Sequence, residues 1–260
     1  MIKAKLLALL LPACIIIGGC TAQTDPAQDT SANTTSAEPA QDTATNEASA
    51  PAEPTKGYTV VDPSSTGLPA PVVEALQKTA LTPPPADTPA PKQATLLFTT
   101  SKGKIKVQLN GEEAPLQVKS FVYLSKKGFY NGTIFHRYAD LLEGSGMSGK
   151  GRIIQGGDPL TKNESLQQYW GAGGPGYEVP REHNKLTHEA FVIAAARSQD
   201  PDSAGSQFYF TVDPVPFLDE GDGYTVFGKV LSGKDVVEKL RANDKLEKVE
   251  VLSETPAKKK

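Results

Sequence analysis

Residues 144–158, GSGMSGKGRIIQGGD, carry the most chemically suggestive spacing in the chain. Gly144 to Lys150 fits G-x-x-x-x-G-K, in which backbone N–H groups cradle phosphates and the lysine reaches the terminal ones. Gly144, Gly146 and Gly149 also fit the dinucleotide spacing G-x-G-x-x-G. Both motifs require a helix to open directly after the glycines, because its N-terminus holds the anion. Here Gly151 replaces the Ser or Thr that would ligate Mg²⁺, and Arg152-Ile153-Ile154 continues as a strand pattern. A second G-x-G-x-x-G at 171–176 contains Pro175 and runs into Tyr-Glu-Val-Pro, which again denies it a helix. These glycines therefore read as loop flexibility, with Leu141–Gly151 an insert beside a different site. Neither a nucleotide nor any other cofactor is expected.

Thiol and metal chemistry are no better supported. The chain has only two cysteines; Cys14 lies within the leader described below and Cys20 at its boundary, so the mature domain has no thiol for catalysis or metal binding. Of the three histidines, His136 reads as a packed structural residue, whereas His183 and His188 flank a loop-like stretch and are expected to be solvated. No metal site is expected. A net charge of −3 and a pI near 5.7 give nucleic-acid binding no support.

The elements that must position a site begin well into the chain. Lys3 and Lys5 precede an apolar run, Leu6 to Ile17, too short for a spanning helix and typical of a secretory leader. It ends in Ile17-Gly18-Gly19-Cys20, which resembles the bacterial lipobox. That resemblance implies removal of residues 1–19 and a lipid on Cys20, tethering the protein to an extracytoplasmic membrane face, periplasmic or at the cell surface. Residues 20–57 are rich in Ala, Thr, Ser, Pro and acidic side chains and should form a disordered tether. Residues 58–92 read as linker, with a possible short helix at "APVVEALQKTA" before the stiff "TPPPADTPAP".

A single folded domain is expected over 93–253, followed by a basic tail, 254–260. "TLLFTT" and "KIKVQL" flank Ser101-Lys102-Gly103 as a hairpin, with Ile105, Val107 and Leu109 on one face. "APLQVKSFVYLSKKGFY" opens with Pro115, suited to a first helical turn, and places Val118, Phe121 and Val122 together. Strand patterns recur at "GRIIQGG", "AFVIAAAR", "SQFYFTV" and "YTVFGKVL"; "GKDVVEKLRA" closes the domain as a helix burying Val236, Val237 and Leu240. Many short strands and two separated helices indicate a mainly antiparallel β barrel or sandwich. In "SQFYFTV" the side chains alternate: Phe208, Phe210 and Val212 face one way, Gln207, Tyr209 and Thr211 the other. If the first set fills a barrel, the second presents an amide and an aromatic ring outside it.

Four blocks, "GFYNGTIFHR" (128–137), "IIQGGDP" (153–159), "AAARSQDPDSAGSQFYFTV" (194–212) and "YTVFGKV" (224–230), resemble the cyclophilin family of peptidyl-prolyl cis-trans isomerases. The resemblance implies a closed eight-stranded antiparallel β-barrel capped by two helices, with the active groove on its outer wall. It implies that Arg137 is the catalytic arginine and that Gln155 and Gln207 bind substrate backbone. Ala196 and Arg197 would anchor the peptide, and Phe135, Ile153, Tyr209, Phe217, Leu218 and Tyr224 would belong to the proline site. The implied partner is a proline-containing polypeptide, and the implied state a monomer.

The chemistry suits these residue types. Rotation about the C–N bond faces a barrier of ~18–20 kcal/mol because resonance stiffens it. Twisting frees the nitrogen lone pair, to which a fixed guanidinium can donate only in the twisted state, so binding favours the transition state. Departures from the family pattern are Tyr209, Phe217 and Tyr224 at pocket positions, a long Arg137-to-Gln155 separation, and a second insert, "KNESLQQYW". Tyr209 brings a hydroxyl that needs a partner. The expected activity is a membrane-anchored isomerase assisting exported proteins; the rival is a non-catalytic proline-peptide-binding or scaffolding lipoprotein, its turnover lost to the first insert.

Overall fold

The computed structural model of the protein describes residues 57–141 and 151–256. The leader, Cys20, the tether up to residue 56, the centre of the first insert (142–150) and residues 257–260 lie outside the described residues.

The elements follow in the order β1 (Thr59–Val60), α1 (Ala70–Thr79), β2 (Gln93–Thr100), β3 (Gly103–Asn110), α2 (Pro115–Lys126), β4 (Thr133–Ile134) and β5 (Arg137–Asp140). Then come β6 (Arg152–Gly156), β7 (Tyr177–Glu178), β8 (Val192–Ala195), β9 (Phe208–Thr211), β10 (Val226–Ser232), α3 (Lys234–Lys239) and β11 (Lys245–Thr255). Short 3-10 turns lie at Pro159–Lys162, Glu164–Tyr169 and Pro216–Asp219.

One antiparallel sheet of nine strands, ordered β4-β11-β2-β3-β10-β8-β9-β6-β5, forms the body. This corrects the expectation of a closed eight-stranded barrel: the two terminal strands, β4 and β5, are not hydrogen-bonded to each other. The reason is local. They are consecutive in the chain, separated only by Phe135 and His136, and this link makes no hairpin turn because Phe135 carries on the pairing of β4 with the β11 side. That same link brings the sheet's edges together, since three residue steps span at most about 11 Å. The sheet must therefore curl around, closed by covalent chain instead of by a ladder. Phe135 continues the β11 side, donating its N–H to Asp244 and accepting from Asn243.

The alternation read from sequence determines what fills the curl. Phe208, Phe210 and Val212 point inward with Phe98 from β2, Ile105 and Val107 from β3, and Phe121 from α2. Phe98 meets Phe208 and Phe210 edge-on at 5.7 and 5.4 Å, a geometry favoured by the ring quadrupoles. Helix α2 seals one end. Ala114 cannot cap it, so the Glu182 carboxylate accepts from the Leu116 and Gln117 N–H groups at 2.8 Å each. Burial nevertheless holds the Glu182 pKa above its usual range. In α3, Val236 and Val237 are buried as expected, and Leu240 follows at its C-cap.

The stretch read as linker, 58–92, lies against this body. Strand β1 pairs antiparallel with β7, and Tyr58 is buried edge-on against Tyr177 at 5.5 Å. The short helix at 70–79 exists and buries Val72 and Leu76 against Leu160 and Leu166. Each such aliphatic side chain contributes about 1.5–3 kcal/mol when fully withdrawn from water, enough to hold a short helix that would be marginal alone. Leu166 and Trp170 belong to the second insert, so that insert supplies much of the surface on which α1 rests.

Candidate active site on the outer wall

Strand register gathers the candidate residues. Arg137 lies directly opposite Gln155, Gln155 opposite Tyr209, and Tyr209 opposite Ala194. Directly opposed residues share a face, so a single row across β5, β6, β9 and β8 presents an exposed guanidinium, an amide and an aromatic ring outside the core. The long separation from Arg137 to Gln155 does not disturb this row. Leu141 donates its N–H to the Gly151 carbonyl at 2.7 Å, closing the β5–β6 hairpin just inside the insert. Gly151 has φ +150°, and a Cβ there would stand 2.2 Å from a Val215 methyl, so a glycine is required where the insert rejoins the wall.

Beside the row is a shallow pocket of about 120 Å³ lined by Arg137, Leu141, Ile153, Gln155, Ala196, Arg197, Tyr209, Leu218 and Tyr224. Its floor is a small apolar cluster separate from the interior, built on Ile153, Ala194, Tyr209, Val215 and Leu218. A larger open groove of about 450 Å³ between α2 and β11 is bordered by residues such as Lys126, Asn131 and Glu254 and contains none of the Arg137 row. The smaller pocket is the candidate site, because it joins the exposed Arg137 guanidinium and the Gln155 amide to a buried apolar cluster.

Of the expected residues, Arg137, Ile153, Gln155, Ala196, Arg197, Tyr209, Leu218 and Tyr224 meet in this pocket. Three do not. Phe135 is fully buried in the interior with its ring 6.2 Å from that of Phe208, because its position in the β4–β5 link turns it inward. Phe217 is half-buried and packs against the apolar cluster without lining the pocket. Gln207 stands behind Gln155. Leu141 was missed by sequence; it shares the parity of Arg137 and Ala139 along one strand, which was the available signal.

Two polar chains fix the site. Arg137 donates to Gln155 Oε1 at 3.1 Å, Gln155 Nε2 donates to Gln207 Oε1 at 2.9 Å, and Gln207 Nε2 donates to the Gly171 and Gly173 carbonyls at 2.8 Å each. A guanidinium can only donate and a carbonyl can only accept, so the two ends dictate the orientation of both amides. Both Gln207 N–H bonds are thereby occupied, and Gln207 braces Gln155 from behind.

The second chain corrects the expectation of a solvated His188. Its ring is 1% exposed, stacked on Tyr209 at 5.8 Å. Nε2 accepts from the Tyr209 hydroxyl at 2.6 Å while Nδ1 meets an Asp219 carboxylate oxygen at 2.5 Å. The neutral tautomer with hydrogen on Nδ1 satisfies both bonds. Burial lowers the His188 pKa, opposed by Asp219; burial likewise pushes the Tyr209 hydroxyl well up. The Tyr209 hydroxyl thus has a partner, and it ties β9 to the turn carrying Leu218.

Arg197 donates to the Gly223 carbonyl from Nε at 3.1 Å and Nη2 at 2.8 Å, and its guanidinium lies 4.3 Å from the Tyr224 ring centre. It therefore holds one pocket wall by hydrogen bonds and a cation–π contact. The Ala196 N–H is engaged by the Gln207 carbonyl at 3.0 Å. Arg152 grips Asp213 through Nε and Nη2 at 2.6 and 2.7 Å at the root of the insert, which lowers the Asp213 pKa. His136 packs with both ring nitrogens buried and without a hydrogen-bond partner among the described residues. Burial first, then the neighbouring Arg137 charge, lowers its pKa to about 4. Among the described residues no cluster of three metal-ligating side chains occurs, and no helix is long and apolar enough to cross a membrane.

Comparisons with known proteins agree with this geometry. The family model "Cyclophilin type peptidyl-prolyl cis-trans isomerase/CLD" matches residues 95–259. The chain is 37% identical over 174 residues to peptidyl-prolyl cis-trans isomerase A of Dickeya dadantii, covering 65% of this chain and 80% of that protein. It is 34% identical over 143 residues to peptidyl-prolyl cis-trans isomerase-like 2 of Cryptococcus neoformans, a match over 55% of this chain that spans only 22% of that longer protein. A cyclophilin-type isomerase from Cryptosporidium parvum, solved in the presence of the dipeptide Ala-Pro, aligns with TM-score 0.50 and 26% identity over 61% of this chain and 99% of that one.

Proposed function

The chain belongs to the cyclophilin-type peptidyl-prolyl cis-trans isomerase family, and we propose that it accelerates rotation about X-Pro bonds of polypeptides bound across the Arg137 row. The observation that carries the reading is the Arg137 guanidinium, held on the outer face by Gln155 at the lip of an apolar pocket. The pyrrolidine ring enters over Ile153, Tyr209 and Leu218. Arg137 then lies beside the prolyl nitrogen, where it donates to the lone pair exposed by twisting. Stabilisation that exists only in the twisted state lowers the barrier without tightening the ground state. No proton transfer or covalent intermediate is needed. A protease-coupled assay on a proline tetrapeptide tests the reading: catalysis well above the spontaneous rate supports it, and an uncatalysed rate overturns it.

The setting we propose is a lipid-anchored isomerase acting on exported proteins. Its support is the Ile17-Gly18-Gly19-Cys20 boundary after the apolar leader, followed by a long polar tether. Expressed in a bacterial host, the protein should partition into the detergent phase, and Cys20→Ser should release it to the aqueous phase. A wild-type protein found wholly in the aqueous phase contradicts the anchor.

A further inference from the structure

The family match begins at residue 95, yet residues 59–81 are bonded to the loop that braces the active-site amides. The Gln155–Gln207 pair ends on the Gly171 and Gly173 carbonyls. From beneath, Asp158 holds the same loop: its carboxylate accepts the Gly171 N–H at 2.5 Å and the Gly173 N–H at 3.3 Å. At Gly173 a Cβ would come within 2.0 Å of an Asp158 oxygen, so the loop sits directly on that carboxylate. On its far side the loop is gripped by the preceding segment. Val61 donates to the Gly176 carbonyl at 3.0 Å and Leu81 to the Pro175 carbonyl at 2.8 Å. Between these two bonds, α1 buries Val72 and Leu76 against Leu160 and Leu166 on the chain leading into the loop.

We propose that residues 59–81 form a positioning strap for the isomerase site, setting the 171–176 loop so that Gln207, Gln155 and Arg137 hold one orientation. The inference rests on the isomerase reading above. Its physical basis is that the loop has four glycines in six residues, and its fixed points are the Asp158 carboxylate and the bonds from the preceding segment. A free loop of this kind samples many conformations, and each would move the carbonyls that dictate both amides. The strap removes that freedom from two sides. The second insert, which supplies Leu166, gives the strap its footing.

The test uses the full chain in two variants that release the strap differently. Leu76→Asp removes the apolar footing of α1; Val61→Pro deletes the N–H that holds Gly176 and leaves the apolar contacts intact. Each is compared with Gln207→Ala and with the corresponding double variant, at a temperature where circular dichroism shows every protein folded. Two readouts are taken: kcat and KM on a proline tetrapeptide, and the side-chain amide NMR signals of Gln155 and Gln207. The strap predicts that each single variant lowers kcat about tenfold with KM little changed, and that the double variants are no worse than Gln207→Ala alone. It also predicts that the Gln207 amide signal moves towards its free position in both strap variants. Multiplying effects in the double variants, or unaltered amide signals after strap release, would overturn it. Wild-type protein without activity would instead defeat the isomerase reading, and the amide signals would still decide the strap. If Leu76→Asp does not fold, Val61→Pro alone decides.

Discussion

Replacing Tyr209 by phenylalanine should separate the stability of the pocket floor from its catalytic power. The ring remains, so the surface offered to a proline is nearly unchanged, and only the hydroxyl bonded to His188 Nε2 at 2.6 Å is lost. That nitrogen lies on a side chain 1% exposed, so water cannot replace the donor. An unsatisfied buried acceptor costs about 1–3 kcal/mol. For a folded body of this size, about 2 kcal/mol lowers Tm by about 4–8 °C. The His188–Asp219 contact persists, so the turn carrying Leu218 stays in place and kcat/KM should fall no more than about threefold, or ~0.6 kcal/mol. Thermal unfolding followed by circular dichroism, alongside the coupled assay, measures both. An unchanged Tm would show that the hydroxyl-to-imidazole bond stabilises nothing. A large loss of kcat/KM at unchanged stability would place the hydroxyl in the chemistry and refute the division of roles.

Acid should destabilise the protein in part through His136. Its folded pKa is lowered from 6.5 to about 4, so between those values the unfolded chain binds a proton that the folded one refuses. Stability is therefore lost as pH falls through that window, by up to about 3 kcal/mol. Urea midpoints at pH 7 and pH 4.5 should differ less in His136→Gln than in the wild type; equal differences would remove His136 from the acid response. Replacing residues 142–150 by a short turn should leave the protein folded, since loop length costs little and the Leu141–Gly151 bond closes the hairpin without them. The residues preferred beside proline should change in a peptide panel, whereas millimolar ATP or NAD should leave Tm unmoved with the insert present; a nucleotide shift abolished by Lys150→Ala would restore the phosphate-loop reading.

What could be read from sequence was what strand periodicity imposes. Alternation in 207–212 placed Phe208 and Phe210 inside and Tyr209 outside, and the structure follows it because one face of every wall strand must fill the curl. The hairpin at Ser101-Lys102 and the helix opened by Pro115 were equally legible. The longest strand, β11, was not identified. Its sequence, KLEKVEVLSET, does not alternate, because the register shifts between Leu246 and Lys248 and between Val251 and Ser253, and its place in the sheet comes from pairing with β2, a contact between distant residues. The strap was obscured by proline-rich composition, since the apolar footing that orders it is supplied about ninety residues later. His188 was misjudged for a related reason: a polar side chain reveals its environment by its partners, and Asp219 and Tyr209 are brought to it only by the fold. Phe135 followed the family motif in sequence but is turned inward by the two-residue link between β4 and β5.

The proposed isomerase mechanism stands on stabilisation of the twisted amide by Arg137. The most direct measurement is kcat/KM of Arg137→Ala on a proline tetrapeptide, with Tm recorded in parallel. The exposed side chain bonds only to Gln155 among the described groups, so Tm should barely move. The rate should fall by about 10²–10³, or ~3–4 kcal/mol, the magnitude expected for a lost charge-stabilising donor. A wild-type rate in the folded variant would contradict the account.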